Sequence, residues 1–194
     1  MNPEIELVGL EKATVIERDN HSISRKQISP NALKVLYRLS SAGFHAYIVG
    51  GGVRDLLLGT KPKDFDVATD ASPEELRKLF KNARIIGRRF KIVHIRFGRE
   101  IIEVTTFRAN HDPKNQIGDD ISRRQIKGLD SAHSKAGMIL RDNVYGNIDE
   151  DAFRRDFTVN ALYYTTRNFL LLDFCGGLDD LQNKEIRMIG DPTA

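Results

Sequence analysis

Residues 47–69, YIVGGGVRDLLLGTKPKDFDVAT, constrain this chain more than any other stretch. An apolar strand ends at Val49, and the triplet Gly50, Gly51, Gly52 breaks it. A short helix carrying Arg54 and Asp55 is expected next, then a turn at residues 59–62. A second strand follows and presents Asp64 and Asp66. Side chains alternate along a strand, so these two acids share a face while Phe65 and Val67 point toward a core. Carboxylates at that spacing repel each other unless a cation sits between them. Hard divalent ions such as magnesium favour one or two carboxylates plus substrate phosphates. Two such ions can hold the attacking and leaving oxygens of an in-line phosphoryl displacement. The glycines let backbone amides approach a triphosphate, and the helix that follows turns its positive end to the same anion. Asp64 and Asp66 are therefore candidate catalytic and metal-binding residues, with Gly51, Gly52 and Arg54 as the candidate triphosphate grip. Alone, an Asp-x-Asp is most often a solvated surface and a Gly-rich turn is a weak signal. Their combination is specific.

The rest of the composition sets bounds. At 194 residues, 40% of them hydrophobic, the chain can build one domain around a core. A net charge of +3 is compatible with nucleic acid without requiring it. The single cysteine, Cys175, rules out an internal disulfide and fits a reducing compartment. No apolar run reaches the ~20 residues that span a bilayer, and no basic-then-apolar leader opens the chain. The expectation is a soluble cytoplasmic protein.

In chain order, residues 1–29 read as a loosely organised extension, with His21 in a polar tail. Leu33, Leu36 and Leu39 recur at helical spacing over residues 30–42, with Ser29 as N-cap, Pro30 in the first turn and Gly43 as the stop. Ser72 caps a second helix through Phe80, with Pro73, Glu74 and Glu75 in its first turn. Short strands follow near residues 84–86 and around His94, where alternation with Val93 and Ile95 assigns the histidine a structural place. Arg88 and Arg89 precede it as candidate phosphate contacts. In the strand 100–106, Glu103 shares a face with Ile101 and Thr105. A glutamate among apolar neighbours costs free energy unless paired or cation-bound, which makes Glu103 a candidate third carboxylate as well as an ordinary strand-surface acid. Arg108 is placed to close on a substrate. Periodicity vanishes over residues 109–136, which read as a mobile loop whose His111 and His133 fit no tight metal site. Arg123, Arg124 and Lys127 in it could touch RNA phosphates. Within residues 149–164, Arg155, Asp156 and Asn160 offer a forked donor, an acceptor and an amide within two turns, with Phe157 and Leu162 as core. A further strand over residues 169–174 contains Asp173 and leads to Gly176, Gly177 and Asp180, and Cys175 reads as a small packed residue rather than a nucleophile.

These segments resemble the class II nucleotidyltransferases of the polymerase-beta superfamily, which comprise tRNA CCA-adding enzymes and bacterial poly(A) polymerases. The resemblance rests on the glycine triplet with Arg54, Asp55, Leu57, Leu58, Gly59, Asp64 and Asp66. It extends through Glu-Val-Thr-Thr-Phe-Arg at 103–108, Arg-Arg-Asp-Phe-Thr at 154–158, and Asp173 with its Gly-Gly and Asp-Leu. Gly-Arg-Arg-Phe at 87–90 with His94 is similar to the segment that marks the poly(A) polymerases. The resemblance implies an α+β head domain over residues 30–194, with a mixed or antiparallel sheet of about five strands and helices mainly on one side. It implies two magnesium ions on Asp64, Asp66 and either Glu103 or Asp156, and ATP held by Gly51, Gly52, Arg54, Arg108, Arg155 and Asn160. The region around Asp156 and Asn160 is then expected beside the bound nucleotide's ribose, and Asp173 and Asp180 stiffen the join to a following domain. The sequence stops before the family's Glu-Asp-x-x-Arg helix, which chooses ATP or CTP, and before its neck, body and tail domains. The implied activity is template-independent addition of AMP to an RNA 3′ end. A CCA-adding enzyme and a non-catalytic nucleotide- or RNA-binding module remain as alternatives.

Overall fold

The computed structural model describes residues 10–88, 90–109 and 145–190. Arg89, His111, Arg123, Arg124, Lys127, His133 and most of the expected 109–136 loop lie outside the described residues.

Helix α1 (Pro30–Ser41) starts where the Ser29 hydroxyl accepts the N–H groups of Asn31 and Ala32. Its apolar stripe, Ala32, Val35, Leu36 and Leu39, is fully buried. Gly43, at φ +88°, turns the chain into β2 (Ala46–Val49), from which Gly50 leads directly to α2 (Gly51–Leu57). β3 (Asp66–Thr69) follows, then α3 (Pro73–Leu79), whose Ser72 and Glu75 form a reciprocal capping box. β4 (Ala83–Ile86), β5 (Ile92–Phe97) and β6 (Glu100–Thr106) form a meander. After residue 145 come α4 (Ile148–Phe153), a 3-10 turn at Thr158–Asn160, β7 (Leu162–Tyr164), β8 (Leu171–Asp173) and α5 (Gly177–Asn183).

Residues 10–29 are more ordered than their polarity suggests. Residues Thr14–Ile16 form the edge strand β1 on β8, Ile23 and Ile28 enter the core, and His21 Nε2 meets the Phe169 carbonyl at 2.8 Å.

Among the described residues the sheet has eight strands, in the order β1-β8-β7-β2-β3-β6-β5-β4. This exceeds the expected five because strands of three residues, such as β1 and β7, are too short to show alternation in sequence. All neighbours are antiparallel except β3 and β6. One face carries Ile48, Val67, Val93 and Val104 and is covered by α1, α2 and α3. On the other, Tyr47, Val49, Ala68, Tyr163 and Leu172 are covered by α4 through Ile148 and Ala152. Helices thus lie mainly on one side. Phe157, expected in the core, is only partly buried, because residues 154–157 leave α4 instead of continuing it.

Candidate active site

The pairing register defines the site. Asp66 of β3 stands opposite Glu103 of β6, and Glu103 stands opposite His94 of β5. Residues in register on neighbouring strands project from the same face. His94 Nε2 accordingly lies 3.2 Å from Glu103 Oε1. Asp64 lies two residues before β3 rather than in it, with its carbonyl beside Gly52 of α2. Asp64, Asp66, Glu103 and His94 share a cleft of about 770 Å³ with Lys63, Arg99 and Glu100. A second cleft of about 230 Å³ meets the first at Asp66 and Glu103 and is lined by Arg108, Asp151, Arg154 and Arg155.

Partial burial pushes the Asp66 carboxyl above the usual range, Glu103 and Asp64 add to the rise, and Arg155 opposes it. Crowded acids of this kind favour any cation that relieves them. Among the described residues, no three His, Cys, Asp or Glu side chains form a cation cage by themselves. The oxygen-only donors Asp64 and Asp66 still suit magnesium, which keeps waters and takes substrate phosphates.

On the other side of Asp66 lies the glycine turn. Gly50 has φ +67° and ψ −143°, a region open in practice to glycine alone. Gly51 runs beneath the Arg54 guanidinium, whereas Gly52 is buried against Ile48 and Phe65. Arg54 donates to Asp55 Oδ1 at 3.0 and 2.9 Å and to Asn160 Oδ1 at 3.1 Å. Asn160 in turn donates to Asp156 Oδ1 at 3.3 Å, and that oxygen also accepts the Phe157 N–H. Gly51, Arg54, Asn160 and Asp156 therefore form one network. Asp66 and Glu103 share the second cleft with Arg108 and Arg155, and Asp156 does not line either cleft. Arg155 connects the two sets, because its Nη1 faces the Asn160 carbonyl at 3.5 Å. Arg108 donates from Nη2 to the Lys91 carbonyl at 2.9 Å, with its guanidinium over the Phe90 ring.

Several lining residues escape a sequence reading. His94 requires the β5–β6 register. Lys63, Arg99 and Arg154 look like ordinary surface charges. Asp151 does carry a signal, its i, i+4 spacing to Arg155.

The distal motif braces the 3-10 turn. Asp173 accepts the N–H groups of Cys175, Gly177 and Leu178. Asp180 accepts from the Thr158 hydroxyl and from Arg187, which hold its carboxyl below the usual range. Burial pushes the Cys175 thiol up to about 11, away from nucleophilic character.

The profile of the family described as "Poly A polymerase head domain" matches residues 46–187. The chain is 56% identical over 179 residues to poly(A) polymerase I of Salmonella typhimurium, covering 92% of this chain and 36% of that protein. It is 39% identical over 163 residues to a CCA-adding enzyme of Lactobacillus helveticus, covering 83% of this chain and 35% of that protein. The crystal structure of the Bacillus stearothermophilus CCA-adding enzyme in complex with CTP superimposes with a TM-score of 0.62 at 29% identity, covering 84% of this chain and 34% of that one. The chain thus spans little more than a third of the length of the curated relatives it matches.

Proposed function

The chain belongs to the poly A polymerase head-domain family, and on that premise we propose that it carries the catalytic head of a template-independent RNA adenylyltransferase. The reaction joins the RNA 3′ oxygen to the α-phosphorus of ATP and breaks the bond from that phosphorus to the bridging oxygen. The products are RNA longer by one AMP, and pyrophosphate; the proton leaves the 3′ hydroxyl. The observation that carries the reading is the register pair Asp66 and Glu103, which with Asp64 lines a cleft that meets an arginine-lined cleft.

Asp64 and Asp66, with Glu103 rather than Asp156 completing the set because Asp156 lines neither cleft, would hold two magnesium ions. When bound, these supply charge neutralisation of the phosphates and a lowered hydroxyl pKa, so no histidine base is required. Arg108 and Arg155 offset negative charge in the second cleft, where a low local dielectric strengthens them. Gly51 leaves room for the triphosphate beside Arg54, and Gly52 serves that turn from the packed side, against Ile48 and Phe65. Arg54 and Asn160, fixed on each other, orient the nucleotide, and Asp156 addresses the ribose. The protein is proposed to work in the cytoplasm on messenger RNA.

The experiment is incorporation of labelled ATP into RNA without a template by the longest natural form containing this chain. Asp64→Ala should abolish it, and retained activity defeats the assignment. The CCA-adding reading is supported by the likeness to the CTP-bound enzyme. Comparing ATP with CTP incorporation on tRNA lacking its last three nucleotides separates the two. Magnesium-dependent ATP binding without turnover by the 194-residue chain would mark it as a binding module that needs the remaining domains.

A further inference from the structure

Arg155 spends its guanidinium on the protein. Its Nε donates to the Tyr163 hydroxyl at 2.8 Å and its Nη2 to Asp151 Oδ2 at 3.0 Å. The Tyr163 hydroxyl closes the ring by donating to the same Asp151 oxygen at 2.7 Å. The other Asp151 oxygen accepts the Arg108 main-chain N–H at 3.1 Å and lies 3.8 Å from Arg154 Nη1. Asp151 is 3% exposed and Tyr163 fully buried. Burial holds the Tyr163 hydroxyl well above its ordinary pKa, so it remains a donor. A buried carboxylate is tolerated where charged and hydrogen-bonded partners answer both oxygens, as they do here.

One edge of Arg155 still faces the site. A Cβ built on Gly50 would stand 3.8 Å from Arg155 Nη1 and 3.9 Å from Asp66 Oδ2, so the cation and the acid flank the same point of the glycine turn. With its fork committed to Asp151 and Tyr163, Arg155 offers the cleft a fixed charge rather than a two-pronged grip on phosphate.

We propose that Asp151 and Tyr163 are positioning residues that lock Arg155 as a fixed counter-cation beside Asp66. The functional consequence rests on the metal–nucleotide reading above; the lock rests on geometry alone. A fixed cation at that point repels a bare divalent ion and attracts phosphate. The cleft therefore fills with ion and nucleotide together rather than with the ion first.

Tyr163→Phe tests this, since it deletes one hydroxyl and keeps the packed ring. Three measurements are made on the full 194-residue chain: proton exchange at the Arg155 Nε–H by NMR, binding of Mn²⁺ alone by electron paramagnetic resonance, and binding of Mn²⁺–ATP by calorimetry. The parent protein should show a slowly exchanging Arg155 Nε–H. Tyr163→Phe should lose that protection, bind Mn²⁺ alone about three- to tenfold tighter and bind Mn²⁺–ATP weaker by a similar factor, the scale expected when a partly screened charge, no longer held, moves away from the ion. Asp151→Asn should also lose the Arg155 Nε–H protection. Tyr163→Phe decides if Asp151→Asn does not fold. The proposal is overturned if the Arg155 Nε–H exchanges freely in the parent protein. It is also overturned if folded Tyr163→Phe binds Mn²⁺ within twofold of the parent while only its melting temperature falls. A parent protein that binds neither Mn²⁺ nor ATP refutes the nucleotidyl-transfer reading instead, and the NMR measurement still decides the lock.

Discussion

Replacing Gly50 by alanine isolates what the glycine turn contributes. The residue joins Val49, the last of β2, to Gly51, the first of α2, at φ +67° and ψ −143°. A residue with a Cβ in that region costs on the order of 1–3 kcal/mol. Space adds nothing, because the nearest atoms to the new methyl, on Arg155 and Asp66, stand at ordinary contact distances of 3.8 and 3.9 Å. The whole cost is therefore conformational. In a domain of this size each kcal/mol lowers Tm by roughly 2–4 °C, so thermal denaturation should fall by about 2–12 °C. The chain has one way to escape, which is to rotate the peptide between residues 50 and 51. That rotation would break the Arg54 N–H bond to the Gly50 carbonyl and move Gly51 from beneath the Arg54 guanidinium. Stability would then recover while magnesium-dependent ATP binding fell. Calorimetry and a binding titration on the same preparation separate the two outcomes. An alanine variant with unchanged Tm and unchanged ATP affinity refutes the argument.

Other substitutions test other parts. Gly177→Ala places a Cβ 2.1 Å from the Thr158 carbonyl oxygen and 2.7 Å from its carbon, both backbone atoms. Overpacking of ~1–3 kcal/mol or more should lower Tm further than Gly50→Ala does, with ATP binding weakened as the Thr158–Asn160 turn shifts. Asp66→Asn should stabilise the metal-free protein at pH 7, by less than about 1 kcal/mol because solvent screens the group. The folded-state pKa is raised, so the native charge is unfavourable at neutral pH, and the gain in urea midpoint should fade as pH falls through that pKa toward 3.8. Ser29→Ala removes the α1 cap and a hydroxyl bonded to Glu100, and should cost about 1–2 kcal/mol in urea unfolding.

What the sequence discloses here follows the range of the interactions. The caps of α1 and α3 and the glycine break are local, and Ser29, Ser72 and Gly50 announce them within a few residues. The faces of β6 are local too, since alternation alone separates Glu103 from Ile102 and Val104. Pairing is not local. Nothing near Thr14 indicates that it will join β8, opposite Asp173. Nothing near His94 indicates Glu103, because its neighbours Val93 and Ile95 look the same in any strand. Arg54 and Arg155 could be recognised as site residues by type, but only the folded chain reveals that Arg54 is held by Asn160, 106 positions away, and Arg155 by Tyr163 across the end of α4.

The position of the chemistry follows from one row that crosses the whole sheet. In register it reads Val15, Leu172, Tyr163, Val49, Asp66, Glu103, His94, Arg84. Four residues with apolar bodies give way to four titratable ones between Val49 and Asp66. α4, Phe107 and Phe174 cover Leu172, Tyr163 and Val49, Val15 at the sheet edge is exposed, and the second half lies open or half-open. Asp66 stands on that boundary, solvent-exposed but close enough to the covered half that desolvation leads its pKa rise. The acidic pair beyond the boundary depends on the parallel pairing of β3 with β6, since it sets Glu103 beside Asp66 and Val104 beside Val67. A slip of one residue there would turn Glu103 into the packed face and bring Val104 out. The apolar seam of Val67, Val104 and Val93 beneath the site therefore fixes the register of the acids above it. In this sheet the hydrophobic core specifies the electrostatics.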